Sequence, residues 1–140
     1  MSRFVIQGRH PVSGVHRVPG NKNAALPMIA ASLLTAEPVT LTNLPDIADV
    51  RVMLALARAL GTVVTHDAVA RSVTLETRRL RTTRLDPALA GRIRTSILFA
   101  GPLLARAGAA TLFPPGGDVI GHRRIDTHLD GFAQLGAKVQ

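Results

Sequence analysis

The run Pro114-Pro115-Gly116-Gly117-Asp118 is the richest candidate for chemistry in this sequence. Two consecutive glycines let a backbone reach positive φ and approach a ligand closely. Asp118 stands at the tip of the turn, and Arg123, Arg124 and Asp126 follow at the mouth of the next predicted helix. A carboxyl group, a pair of guanidinium groups and exposed backbone N–H groups are the parts for general acid–base work on an anionic substrate. The same residues also fit a plain loop, with Asp118 in an Asx turn and the arginines in water.

Two further segments have chemical potential. Pro19-Gly20-Asn21-Lys22-Asn23 sets a lysine and an amide at a helix start. Free N–H groups and the helix dipole favour an anion there. The competing reading is an ordinary turn with an N-capping Asn. Arg94 opens an apolar helical stretch, where it either reaches a phosphate over the helix end or lies solvated on the surface. Together these features point to an α/β enzyme that handles a phosphorylated small molecule.

Composition removes several other chemistries. The 140 residues contain no cysteine, which excludes thiol nucleophiles, thiolate metal sites and a disulfide framework. His122 and His128 are six residues apart, off the i, i+4 spacing that pairs two histidines on one helix face, and the other histidines lie on predicted loops or strands, so no metal is expected. No cofactor-binding glycine fingerprint, phosphate-binding P-loop or nucleophile elbow is present. The net charge of +8 attracts polyanions, yet the basic residues are spread out, with no run longer than Arg78-Arg79 plus Arg81. There is no Tyr or Trp on which bases could stack, which argues against nucleic acid. The longest apolar stretches, Ala24–Ala36 and Ile97–Ala105, fall short of the ~20 residues that span a bilayer, so a soluble cytoplasmic protein is expected.

Hydrophobic patterning supplies the elements that would hold these residues. Phe4–Gln7 and Gly14–Val18 read as short strands, and Lys22–Leu34 as a helix with Pro27 in its first two turns. Val39–Thr42 reads as a strand, Asp49–Leu60 as a helix ended by Gly61, and Thr62–Thr65 with Ser72–Glu76 as a hairpin. Arg78–Asp86 is a polar connection. Arg92–Ala105 reads as a helix with Pro102 as a kink, Ala110–Phe113 as a strand, Ile125–Leu135 as a helix, and Ala137–Gln140 as the start of a strand. The order helix, strand, Pro turn, helix, strand occurs twice, each copy closing on a Leu-Gly pair, Leu60-Gly61 and Leu135-Gly136. Repeated α/β modules about a shared core are implied. The second copy lacks a closing hairpin, so the parent architecture is expected to be longer than this chain.

Four motifs in fixed order carry a resemblance: Gly20-Asn21-Lys22-Asn23-Ala24-Ala25-Leu26-Pro27, Gly101-Pro102-Leu103-Leu104-Ala105-Arg106, Pro115-Gly116-Gly117-Asp118-Val119-Ile120-Gly121 and Asp126-Thr127-His128. Over nearly its whole length the chain resembles the enolpyruvyl transferase family, in particular the N-terminal third of the UDP-N-acetylglucosamine 1-carboxyvinyltransferases. The resemblance implies an inside-out α/β barrel of two domains, each built from three repeats. Residues 1–21 would be strands of a second domain, and residues 22–140 the first repeat and most of the second repeat of the N-terminal domain.

The implied reaction moves the enolpyruvyl group of phosphoenolpyruvate to the 3-hydroxyl of UDP-N-acetylglucosamine and releases phosphate. By resemblance Asp118 is the proton donor, a position often held by cysteine. Lys22, Asn23 and Arg123 hold phosphoenolpyruvate. Arg94 and the stretch Arg123, Arg124, Ile125, Asp126 and Thr127 lie along the nucleotide sugar. No cofactor is implied, and the remaining repeats are needed for a complete site, so this chain alone is expected to be inactive. Arg124 stands where a proline is frequent and Thr127 where an apolar residue is frequent. These departures leave open a paralogue acting on another hydroxyl. A non-catalytic domain that binds anions or nucleic acid is the remaining class.

Overall fold

The computed structural model describes residues 3–67, 69–117 and 124–140. Ala25, Leu26, Ile29 and Ala30 recur at helical spacing and bury one side of α1 (Lys22–Ala31). A 3-10 turn over Ser32–Leu34 continues it and carries Leu33 into the same core. α2 (Ala48–Leu60) packs along α1 and buries seven residues, among them Met53, Leu56 and Leu60. The buried cluster is aliphatic except for Phe99, as a chain with four Phe and no Trp or Tyr requires.

A three-stranded antiparallel sheet forms beside these helices. β1 (Val39–Thr42) and β2 (Val63–Asp67) both pair with β3 (Ser72–Glu76), giving the order β1-β3-β2. Side chains alternate across a strand, so Val73 and Leu75 of β3 face the core beside Leu41 and Val64. On the outer face the hydroxyls of Thr40 and Thr74 lie 2.9 Å apart. Buried Thr62 and Thr77 pair their hydroxyls at 2.7 Å, which satisfies both without water. These elements match the helix, strand and hairpin expected between residues 22 and 76 to within a residue or two, apart from the 3-10 end of the first helix.

Elsewhere the structure corrects the sequence reading. Phe4–Gln7 and Gly14–Val18 are not strands: residues 3–19 carry no ladder and are exposed, with Phe4 at 96%. A two-residue alternation becomes a strand only against a partner edge, and none lies beside them among the described residues. Ala110–Phe113 forms a single parallel bridge, Thr111 to Arg84, and Ala137–Gln140 forms no strand. The second copy of the module therefore has its helices without its sheet.

The expected helix over Arg92–Ala105 is two pieces, with a further short helix before it. The short helix is α3 (Pro87–Ala90), a 3-10 turn covers Arg94–Phe99, and α4 (Ala100–Ala107) follows. Asp86 caps α3 by accepting from the Leu89 N–H at 2.9 Å, with Pro87 at the first helical position. Pro102 sits in the first turn of α4, where a missing N–H costs no helical hydrogen bond, so it starts that helix rather than kinking a longer one. α5 (Asp126–Gln134) closes the described elements.

Arg106, on α4, ties the halves together. Its guanidinium donates to the carbonyls of Leu33, Thr35, Thr77 and Arg78 at 2.7–3.3 Å. Those carbonyls end the first helical segment and the sheet's central strand, where regular pairing runs out.

Candidate functional site

Asn21 caps α1: its side chain accepts from the Ala24 N–H at 3.2 Å. Lys22 and Asn23 thereby occupy the first two helical positions, with their own N–H groups at the positive end of the helix dipole. The approach to this helix is fixed by Gly20, where a Cβ would stand 1.8 Å from the Asn43 carbonyl oxygen. Capping and anion binding, posed as alternatives by the sequence, call on different residues, so the Asn21 cap leaves Lys22 and Asn23 available.

Lys22 does not point into open water. Its Nζ lies 2.9 Å from Asp49 Oδ2, on the first turn of α2. Both side chains are partly exposed, at 52% and 36%. A pair of this kind contributes about 0.2–1 kcal/mol. It is too weak to anchor the fold and weak enough to yield to a ligand.

On the other wall stands the turn Gly91–Arg94. Buried Ser96 donates from its hydroxyl to the carbonyls of Ala90 and Ile93, which fixes the start of the 3-10 turn led by Arg94. The Gly116 N–H donates to the Ala90 carbonyl at 3.3 Å, so the glycine loop docks onto this turn. A Cβ at Gly116 would fall 1.5 Å from the Gly91 carbonyl oxygen, so only glycine permits the approach. Arg94 in turn donates to the Arg124 carbonyl at 2.8 Å, linking the wall to the start of α5.

These walls enclose a cavity of about 550 Å³. Lys22, Asn23, Arg94, Gly117 and Ile125 line it, together with Asp49, Arg92, Thr95 and His128. Residues separated by a hundred positions in sequence thus converge: an ammonium, two guanidinium groups and an amide face one carboxylate. The surplus of positive charge suits a ligand carrying phosphate or carboxylate groups, and guanidinium groups match them with paired donors. Among the described residues no cluster of His, Asp and Glu is arranged to hold a metal ion.

Not every expected residue lies in this cavity. Asp118 and Arg123 lie outside the described residues. Arg124 lines a neighbouring, more apolar cleft shared with Arg94, Leu129 and Phe132, and its guanidinium pairs with Asp126. Asp126 begins α5, where its negative charge meets the helix dipole, and its Oδ1 is buried with no hydrogen-bond partner among the described residues. Thr127 is exposed and lines neither cavity. Asp49, Arg92, Thr95 and His128 were not anticipated. Asp49 carries only the signal of an acidic residue in a first helical turn, and His128 stands in the sequence only as a histidine without metal-ligand spacing and as the end of the motif Asp126-Thr127-His128. A separate basic cleft, with Arg78, Arg79 and Arg81, opens beside Gly61 and Val63, and there Arg78 is paired with Glu76.

Known proteins share this sequence and fold. The family model of EPSP synthase (3-phosphoshikimate 1-carboxyvinyltransferase) matches residues 6–140. The UDP-N-acetylglucosamine 1-carboxyvinyltransferase of Treponema pallidum is 54% identical over 140 residues, covering 100% of this chain and 33% of that protein. The protein of the same name from Treponema denticola is 50% identical over 141 residues, again 100% of this chain and 33% of its own length. The chain therefore spans about a third of the length of the curated relatives it matches. The crystal structure of the enolpyruvyl transferase NikO from Streptomyces tendae superposes with a TM-score of 0.63 at 30% identity, over 70% of this chain and 22% of that one. The α/β architecture is that of an enolpyruvyl transferase, and the chain belongs to the EPSP synthase (3-phosphoshikimate 1-carboxyvinyltransferase) family.

Proposed function

We propose that this chain forms part of the site at which the enolpyruvyl group of phosphoenolpyruvate passes to the 3-hydroxyl of UDP-N-acetylglucosamine with release of phosphate. The observation that carries the reading is the single cavity that gathers Lys22, Asn23, Arg94, Gly117 and Ile125. The names of the two Treponema relatives, identical at half their aligned positions, support the acceptor.

In this reading Lys22 and Asn23 hold phosphoenolpyruvate, with Arg123 as a further partner. Arg94, Arg124, Ile125, Asp126 and Thr127 follow the nucleotide sugar. Each charge-assisted hydrogen bond to phosphate contributes about 1.5–3 kcal/mol, so two or three of them outweigh the Lys22–Asp49 pair that a ligand displaces. Asp118 follows Gly117 directly, and Gly117 lines the cavity, which supports Asp118 as the proton donor. Carbon 3 of phosphoenolpyruvate takes that proton as the sugar oxygen bonds to carbon 2 and loses its own proton. Carbon 3 then gives up a proton as the bond from carbon 2 to the phosphate oxygen breaks. An aspartic acid must be protonated to donate, and a neighbouring phosphate dianion favours that form.

The domain division follows the same reading: residues 1–21 belong with a second domain, and residues 22–140 form the first repeat and most of the second of the N-terminal one. The exposed apolar arm, with Phe4 and Ile6 paired with no strand among the described residues, supports it. We place the protein in the cytoplasm and in peptidoglycan synthesis, hence in cell-wall growth, cell shape and division. No helix among the described residues is long and apolar enough to cross a membrane.

The test is a chimera in which this chain replaces the matching third of the Treponema pallidum relative. Phosphate release from phosphoenolpyruvate should require UDP-N-acetylglucosamine and should fall to background in Asp118→Asn, with phosphoenolpyruvate still bound. Release with shikimate 3-phosphate instead would reassign the acceptor. Turnover retained in Asp118→Asn would remove that residue as donor.

A further inference from the structure

Asp49 has no part in the reaction just described, yet it is the one carboxylate among the described residues that line the cavity, and it is bonded to Lys22. The contact joins the first turns of two helices whose packing is set elsewhere, by Leu26, Ile29, Val50 and Met53 in the core. The helix starts are therefore held in place without it. A second exposed pair, Arg51 with Asp46, lies one turn away on the same helix region but borders a different cleft. Lys22 alone of the two cations is held at the mouth of the cationic cavity.

We propose that Asp49 is a place-holding counter-ion: it keeps the Lys22 ammonium at the cavity in the empty protein and is exchanged for the ligand's anionic group on binding. A lysine side chain has four rotatable bonds, and a carboxylate partner restricts it to one region at little energetic cost. The same carboxylate competes with the incoming anion, so an anion must displace it or share its ammonium. Asp49 thus lowers affinity for simple anions while keeping the lysine in register for one that also engages Arg94. The inference rests on the reading of this cavity as an anion site and assigns the residue that governs its occupancy.

The sequence gives an internal reference for the test, because Lys22 and Lys138 are its only lysines. Acylation of the whole chain by a small amine-reactive ester, read by mass spectrometry, reports Lys22 relative to Lys138. Asp49→Asn should raise the relative labelling of Lys22, Asp49→Glu should restore it, and Asp46→Asn should leave it unchanged. Titration with inorganic phosphate should give about two- to fivefold tighter binding in Asp49→Asn, the fold-change that corresponds to losing one competing exposed ion pair. That gain should vanish when Lys22→Met is already present. Lys22-dependent phosphate binding with no change on Asp49→Asn would overturn this inference and leave the anion site standing. Phosphate binding that does not depend on Lys22 would overturn both.

Discussion

Two regions of the molecule bury their residues very differently. Between residues 22 and 107, both long helices, the sheet and the 3-10 turn after Ile93 send side chains into one core, with Ile29, Leu33, Met53, Leu56, Leu60 and Leu103 at 0% exposure. Beyond residue 109, α5 buries no residue, and Leu112, Phe113 and Phe132 are only half-covered. The candidate cavity lies on the seam. Lys22, Asp49 and Arg94 come from the packed side, while Gly117, Ile125 and His128 come from the loosely packed side. Half of the candidate site is thus held by the packed scaffold, and the other half rests on a few hydrogen bonds to backbone carbonyls, such as Gly116 N–H to Ala90 and the Arg94 guanidinium to Arg124.

Substitutions that sharpen this contrast differ in size. Leu56→Ala removes a fully buried side chain from the packed region and should cost about 2–5 kcal/mol in urea unfolding. Arg106→Met keeps the aliphatic stem and removes the donors that hold four carbonyls, and should cost about 1–3 kcal/mol. Leu129→Ala, on the half-covered face of α5, should cost under about 1 kcal/mol. Equal losses at Leu56 and Leu129 would erase the distinction between the regions.

The packed region was also the legible one. Periodicity in Lys22–Leu34 and Asp49–Leu60 and alternation in Ser72–Glu76 are local signals that the core enforces, so the elements follow from them. The strand signals at Phe4–Gln7, Gly14–Val18 and Ala110–Phe113 are as local as these, but a strand is a property of two edges and a single segment cannot show its partner. The break before Arg94 did have a local signal, Asp86-Pro87, a cap followed by a proline at the first helical position. The pattern of apolar residues across Arg92–Ala105 masked it. Of the cavity residues, Lys22, Asn23 and Arg94 were marked by a cation or an amide at a predicted helix start. Asp49 and Arg106 were not, because each acts through partners on other elements that spacing along the chain does not reveal.

A backbone amide titration of the chain with phosphoenolpyruvate tests the central claim directly. Saturable shifts should concentrate at Lys22, Asn23, Arg94 and Gly117, and Lys22→Met should weaken them. Shifts that instead gather at Arg78, Arg79 and Arg81, or that follow charge alone and vanish uniformly with salt, would contradict it.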